Sequence, residues 1–263
     1  MAVLLMVLAV VMPLAAGCAD SKPVTIRVLT YNIHHGAGMD KQIDLPRIAK
    51  IIRDSGADLV ALEEVDRNVP RTSHVDQPAV LGELTGMHAV FEKNADMQGG
   101  DYGNAVLSRY PITRYENHLL PNFPGNEQRG CLEVHVRIAG KPAVFFAAHL
   151  DHQQPDGERR ASIAAIRKYV AANPDATVIL AGDLNAEPDS AVLADAEAFL
   201  ANADQAAESN LLTYPADQPD RKIDYVLYRD QPGLRCVSCR VIPEAVASDH
   251  RPLLAELRLD SVP

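Results

Sequence analysis

The sequence predicts an α/β (α+β) chain in which two mixed β-sheets pack together and helices cover their outer faces. Strand-like runs outnumber helical ones. Several neighbouring strand-like runs have no helix between them, which parallel pairing would require. Short polar signatures also follow apolar runs: Gly182-Asp183-Leu184-Asn185 after Thr177–Ala181, and Ser248-Asp249-His250 near the C-terminus. Polar groups that end strands far apart in sequence are the raw material of one cleft on a sheet scaffold.

Each element has its own signal. Residues Val24–Tyr31 alternate and are rich in β-formers, so they form a strand. Leu45, Ile48, Ile51 and Ile52 recur at helical spacing, and Ser55-Gly56 ends that helix. Leu59–Leu62 is a buried strand, and Ala79–Leu84 is a short helix stopped by Gly86. Ala105–Leu107, Leu132–Ile138 and Ala143–Ala148 are further strands. Arg114–Gly130, with Pro121, Pro124 and Gly125, reads as an irregular surface loop. Glu158–Ala172 is helical because Ile163, Ile166 and Val170 share a face. Thr177–Ala181 is a buried strand, Val192–Leu200 is helical, Ile223–Tyr228 and Leu253–Leu259 are the last clear strands, and Cys236–Cys239 lies on a strand-like run between them. There is no tandem repeat or low-complexity segment.

Val3–Leu14 is almost wholly apolar, too short to span a bilayer, and followed by the small residues Ala15-Ala16-Gly17 before Cys18. Residues 1–18 therefore read as an export signal, 19–23 as a tether and 24–260 as one domain. Gly17-Cys18 is similar to a bacterial lipobox, which would make Cys18 a lipid-bearing first residue and attach the protein to a membrane. The alternative is an ordinary cleaved signal in which Cys18 is incidental. Either way the expected location is the periplasm or cell envelope of a bacterium. Of the remaining cysteines, Cys236 and Cys239 form either a small disulfide loop or free thiols. A lone CxxC supplies too few ligands for structural zinc.

Aromatics make up 5% of the chain and Trp is absent, so the core rests on Val, Leu, Ile and Ala. Net charge is −10, and no basic cluster exceeds Arg159-Arg160 and Arg221-Lys222. Nonspecific nucleic-acid binders carry a basic face, so polymeric nucleic acid fits less well than a small phosphate ester or a lipid head group. Arg67, Arg71 and Arg129 are candidates for local phosphate contact. Nothing in the sequence calls for an obligate partner, and a monomer is expected.

The chemistry-bearing residues sit at strand ends. Asn32 closes the first strand, where an amide can reach a carboxylate or a metal-bound water, although turn geometry alone also favours Asn there. Glu63 and Glu64 follow Leu59–Leu62 and point to opposite faces if the strand continues, so one of them binds metal. His149 and His152 close the apolar run Phe145–Ala148. Asp183 and Asn185, two apart, share a face in an extended segment, and Gly182 permits close backbone approach. Asp224 lies in an apolar strand, where it needs a cation or an imidazole as partner. Asp249-His250 completes the set. Carboxylates, an amide and an imidazole suit a hard divalent cation and a general base, and hence metal-assisted attack on a phosphate ester.

Taken in order, TYNIHHG (30–36), LEEV (62–65), YGNAVLS (102–108), AAHLDH (147–152), AGDLNAEP (181–188), KIDYVL (222–227) and SDHRPL (248–253) resemble the endonuclease/exonuclease/phosphatase superfamily, with its DNase I-like four-layer sandwich. The resemblance covers about residues 24 to 260. It implies Mg²⁺, with Mn²⁺ as a substitute, held principally by Glu64 with Asn32 beside it and Asp249 as a further carboxylate. Asp183 would activate or orient the attacking water, and Asn185 would contact the scissile phosphate. His250 would serve as general base or phosphate-binding imidazole, oriented by Asp224. His149 would contact the phosphate and protonate the leaving oxygen. Asn104 matches the family's GN pair as a substrate contact, and His152 and Arg129 are further candidate substrate contacts beside it. The family usually has Gln where this chain has Glu63, and the spacing to Val65 favours Glu64 as the ligand.

Within that superfamily, abasic-site endonucleases usually carry Tyr at the position of His149, whereas phosphoesterases of lipids or inositides, and DNase I, carry His. The expected activity is therefore an exported phosphoesterase cleaving a phosphodiester of a small molecule or lipid head group by in-line attack of water. A secreted nuclease and a catalytically silent binding protein of the same fold are the alternatives. Specificity would lie in the loops Asn68–Gln77, Asn94–Tyr102 and Leu119–Gly130.

Overall fold

The computed structural model describes residues 23–207 and 209–260. The expected export signal, most of the tether and Cys18 lie outside the described residues. In chain order the elements are β1 (Val24–Asn32), α1 (Leu45–Ser55), β2 (Leu59–Arg67), α2 (Gln77–Thr85), β3 (His88–Met97), β4 (Gly100–Ser108), β5 (Arg114–Leu119), β6 (Gly130–Ile138), β7 (Lys141–His149), α3 (Gly157–Ala171), β8 (Thr177–Asp183), α4 (Ala191–Glu197), β9 (Ala201–Asn202), β10 (Asp224–Tyr228), β11 (Leu234–Val241) and β12 (Leu253–Leu259).

They build two six-stranded sheets, ordered β11-β12-β1-β2-β4-β3 and β5-β6-β7-β8-β10-β9. Both are mixed: β1–β2 and β7–β8 are parallel, and their neighbours are antiparallel. Period-2 alternation assigns every apolar side chain to a layer. Ile26, Val28, Leu59, Ala61, Phe145, Ala147, Ile179, Ala181, Val226 and Leu257 meet between the sheets. Their sequence neighbours face outward. Leu29, Tyr31, Val60 and Leu62 pack with Ile48 and Ile52 of α1 and Leu81 of α2. Val144, Phe146, Val178 and Leu180 pack with Ile163 and Ile166 of α3 and Val192 and Leu193 of α4. The result is a four-layer helix–sheet–sheet–helix sandwich.

The helices start and stop on local chemistry. Asp44 and Asp76 cap α1 and α2 by accepting from the backbone N–H of Arg47 and Ala79, each helix has Pro in its first turn, and Gly56 and Gly86 end them in left-handed geometry.

Three sequence expectations change. Arg114–Gly130 is not wholly irregular, because Arg114–Leu119 pairs with β6 as an edge strand. Asn94–Tyr102 is not a free loop but the turn end of the β3–β4 hairpin. Residues His88–Met97 form a strand where none was expected. Cys131, Cys236 and Cys239 are free thiols, so the disulfide alternative for Cys236 and Cys239 falls away. No described helix is long and apolar enough to cross a membrane.

Candidate active site

The inner-face rows that form the apolar seam between the sheets turn polar at one end. Counting in twos, Phe145 and Ala147 lead to His149, Ile179 and Ala181 to Asp183, and Tyr228 and Val226 back to Asp224. Register completes the row: His149 lies opposite Asp183, and Asp183 opposite Asp224. On the facing sheet, Ile26, Val28 and Thr30 lead to Asn32, which lies opposite Glu63. The pairing of β2 with β4 slips after Leu62, leaving Glu63 and Glu64 against Asn104 alone. This bulge puts Glu64 in left-handed geometry at φ 58° and turns its carboxylate into the cleft, while Glu63 stays buried between the sheets.

The cleft has a volume of about 330 Å³ and is lined by Glu64, Arg129, His149, His152, Asp183, Asn185, Asp249 and His250, with Tyr214 and Arg221 at its rim. A larger hollow of about 490 Å³, along His88–Val90 and Ile112–Tyr115, contains no carboxylate. A hollow of about 410 Å³ carries Asp54 and Glu244 but no imidazole, so the smaller cleft, where carboxylates and imidazoles meet, holds the chemistry.

A continuous network joins the two sheets. The Asn32 amide donates to Glu64 Oε1 at 3.1 Å and to Asp183 Oδ2 at 3.2 Å. The same Asp183 oxygen lies 3.6 Å from His149 Nε2 and 3.7 Å from His250 Nε2. His250 Nδ1 bonds Asp224 Oδ2 at 3.0 Å, and the ring packs on Tyr214. Asn185 donates to the Leu150 carbonyl at 3.0 Å, and its backbone N–H donates to Asp183 Oδ1 at 2.9 Å. Ser248 donates to the Asn32 carbonyl at 2.7 Å, tying the C-terminal signature to β1. Arg129 places Nη1 3.2 Å from His149 Nδ1. A guanidinium only donates, so His149 Nδ1 accepts and the ring proton sits on Nε2.

These surroundings set the charges. Burial raises the Asp183 carboxyl, and the Asp224 charge beside it adds to the effect. Burial drives Glu63 well above the usual carboxylate range, reinforced by Asp224 and Asp183 and partly offset by a hydrogen bond from Thr30. Burial, then the Arg129 and His250 charges, holds His149 well below its ordinary value, so it is neutral. Burial alone would lower His250 too, but Asp224, followed by Asp183 and Asp249, outweighs it and raises the imidazole to about 10. Burial, then Arg71 and His34, lowers His35 to about 4.

The structure gathers Asn32, Glu64, His149, Asp183, Asn185, Asp224, Asp249 and His250 as one site, with His152 and Arg129 on its wall. Asn104 is a correction. It is buried, does not line the cleft, and donates to the Gly130 and Ala147 carbonyls at 2.9 and 3.3 Å, joining β4 to the other sheet. Arg67 and Arg71 are likewise committed elsewhere, to Asp101 and Asp66. Neither basic pair is a surface patch: Arg159 binds backbone carbonyls, and Lys222 is buried against the Asp224 carbonyl. Sequence reasoning passed over His34 and His35, although the adjacent pair stands two residues after Asn32. It also passed over Tyr214, whose loop carries no motif.

The donor set suits a cation. Glu64, Asp183 and Asp249 line the cleft, Asp224 stands behind Asp183 and His250, and Asp224 Oδ1 is buried without a hydrogen bond. Such a concentration of carboxylates calls for a positive counter-charge.

Comparison with known proteins places this arrangement. Residues 29–250 match the model of the endonuclease/exonuclease/phosphatase family. The uncharacterized protein YbhP of Escherichia coli K12 is 29% identical over 91% of this chain and 99% of its own length. A crystal structure titled endonuclease/exonuclease/phosphatase, from Beutenbergia cavernae, superposes with a TM-score of 0.74 at 29% identity, covering 91% of this chain and 72% of that one. The Bacteroides thetaiotaomicron mannosyl-6-phosphatase shares the fold, with a TM-score of 0.74 at 18% identity over 88% of this chain and 99% of that one.

Proposed function

The chain belongs to the endonuclease/exonuclease/phosphatase family, and on that premise we propose that it is an exported, divalent-metal-dependent hydrolase of a phosphodiester in a small molecule or lipid head group. The observation that carries this reading is the unbroken network from Glu64 through Asn32, Asp183 and His250 to Asp224. The resemblance gives the ion as Mg²⁺. Held by Glu64 with Asn32 and Asp249, it would polarise the phosphate and stabilise charge on the leaving oxygen.

The chain's own residues divide the remaining work. Asp183, a carboxylate raised toward neutrality, accepts the proton of the attacking water. His250 is held by Asp224 with Nε2 facing the cleft, and as an imidazolium it meets the charge that builds on the phosphoryl oxygens. Held neutral by burial and by the Arg129 and His250 charges, His149 offers its Nε2–H as a hydrogen-bond donor to the phosphate and does not take the acid role at the leaving oxygen that the resemblance implies. Asn185 supplies a second donor, and Arg129 fixes the His149 tautomer. Water attacks phosphorus in line, the bond to the leaving oxygen breaks and that oxygen takes a proton from solvent, and no covalent enzyme intermediate forms.

The test is a panel of bis-p-nitrophenyl phosphate, inositol phosphates, sphingomyelin vesicles and plasmid DNA, each with the purified protein and a divalent cation. Turnover of a small diester or lipid supports the reading. Plasmid cleavage alone would replace it with a nuclease, and inertness across the panel would replace it with a binding protein. His250→Ala is expected to lower kcat on the best substrate by ~10²-fold or more. A wild-type rate in that variant removes His250 from the mechanism.

A further inference from the structure

Next to the oxygen-rich network stands a group that the proposed mechanism does not use. The turn after β1 holds His34 and His35 in consecutive left-handed conformations, φ 45° and 46°. Two bonds fix it: the His34 N–H donates to Asn32 Oδ1 at 3.0 Å, and Gln77 Nε2 donates to the His35 carbonyl at 2.7 Å. The rings stand edge to face, with centroids 4.4 Å apart. One nitrogen of each ring and one carboxylate oxygen of Glu64 all lie within 4.8 Å of one another. Asp249 Oδ1 is 3.9 Å from His34 Nδ1. His35 Nδ1 is buried and makes no hydrogen bond. Arg71, the cation next to His35, is neutralised by two bonds of 2.8 Å to Asp66.

We propose that His34 and His35 join Glu64 in binding a divalent first-row cation, so that the metal centre of this chain is a mixed nitrogen–oxygen site that takes Zn²⁺ or Mn²⁺ ahead of Mg²⁺. Imidazole is a good ligand for Zn²⁺ and is accepted by Mn²⁺ beside its oxygen ligands, whereas Mg²⁺ keeps water and carboxylate oxygens around it. Two imidazoles and a carboxylate are also a common protein donor set for a divalent transition ion. The left-handed backbone at both positions is sparsely populated for residues other than glycine and is retained where the surroundings enforce it. Here it brings two adjacent rings, which would otherwise diverge, to one point. The inference rests on the proposed function only in assigning Glu64 to the metal.

The experiment is calorimetric titration of the chelator-stripped full-length protein with Mn²⁺, Zn²⁺ and Mg²⁺ in the absence of substrate. Mn²⁺ is expected to bind at least ~10-fold more tightly than Mg²⁺, with Zn²⁺ tighter than Mn²⁺. The double variant His34→Asn/His35→Asn, whose residues tolerate the left-handed backbone, should bring Mn²⁺ to the Mg²⁺ level and change Mg²⁺ affinity by less than ~3-fold. If that variant does not fold, His34→Gly/His35→Gly answers the same question, because glycine accepts the backbone at no steric cost. Equal or tighter binding of Mg²⁺ by the wild type overturns the proposal, as does wild-type Mn²⁺ affinity in the folded double variant. Because no turnover is measured, an inert protein with the expected metal preference would sink the hydrolase and keep this inference. The reverse result would do the opposite.

Discussion

Glu63 shows how much one buried proton decides. It faces the seam between the sheets, accepts from Thr30 Oγ1 at 3.2 Å and leaves Oε2 without a partner. Its carboxyl is raised by burial, so the folded state holds a proton that the unfolded chain gives up near pH 4.3. Stability from such a group is fully present below that value and is lost as pH rises toward the folded pKa. Glu63→Gln removes the titration, so its stability advantage should grow from pH 5 to pH 8 by up to ~1.4 kcal/mol per pH unit. Denaturant melts at several pH values measure this, and a constant difference would show that Glu63 is not protonated in the fold. The glutamine should leave turnover within a few-fold of wild type, since a protonated Glu63 already presents a neutral group there. The pair Glu63-Glu64 was only partly legible in sequence. Alternation separates the two side chains, but the bulge that turns Glu64 into the cleft depends on pairing with β4, a long-range fact with no local signal.

At the scale of elements, much of the site could be read by counting in twos. The apolar rows 145–147, 179–181 and 226–228 extend directly to His149, Asp183 and Asp224, so the residues that converge were visible once the strands were assigned. Asn185 escaped this rule. Its φ of 46° breaks the extended run, so it reaches the site through the Leu150 carbonyl and not through a shared strand face. β3 and β5 were missed for a different reason. Each is an edge strand, and their half-exposed residues give little apolar alternation. The parallel contact of β7 with β8 has one strict requirement. A Cβ on Gly182 would stand 1.8 Å from the Ala148 carbonyl oxygen, which is backbone and cannot swing away. Gly182→Ala is therefore expected to destabilise the fold by more than ~3 kcal/mol or to leave it insoluble. Urea unfolding decides this, and wild-type stability would mean that the two strands are not this close. Since His149 and Asp183 end these strands, the same spacing sets their 3.6 Å separation.

At the scale of the whole molecule, the two sheets are joined by apolar contact along most of their length and by polar ties at the site end. Asn104 is one such tie. Asn104→Ala should lower stability by ~1–3 kcal/mol, or Tm by a few degrees, and leave KM for the best substrate near wild type. A large rise in KM would return Asn104 to the substrate-contact role that its motif suggested. The four-layer sandwich was legible because apolar runs without intervening helices leave few other arrangements. The motif at Asn104 misled because a residue can recur in a motif for packing as readily as for chemistry.

The direction of β1 bears on what can reach the cleft. The strand begins at Val24 and ends at Asn32 in the site, a rise of ~26 Å at 3.3 Å per residue. The six residue steps from Cys18 to Val24 reach at most ~22 Å. A molecule moored through Cys18 would stand with its root toward the lipid and its mouth at the far pole. Solutes in the surrounding fluid would then enter freely, while head groups of the mooring leaflet would lie beneath the wrong end.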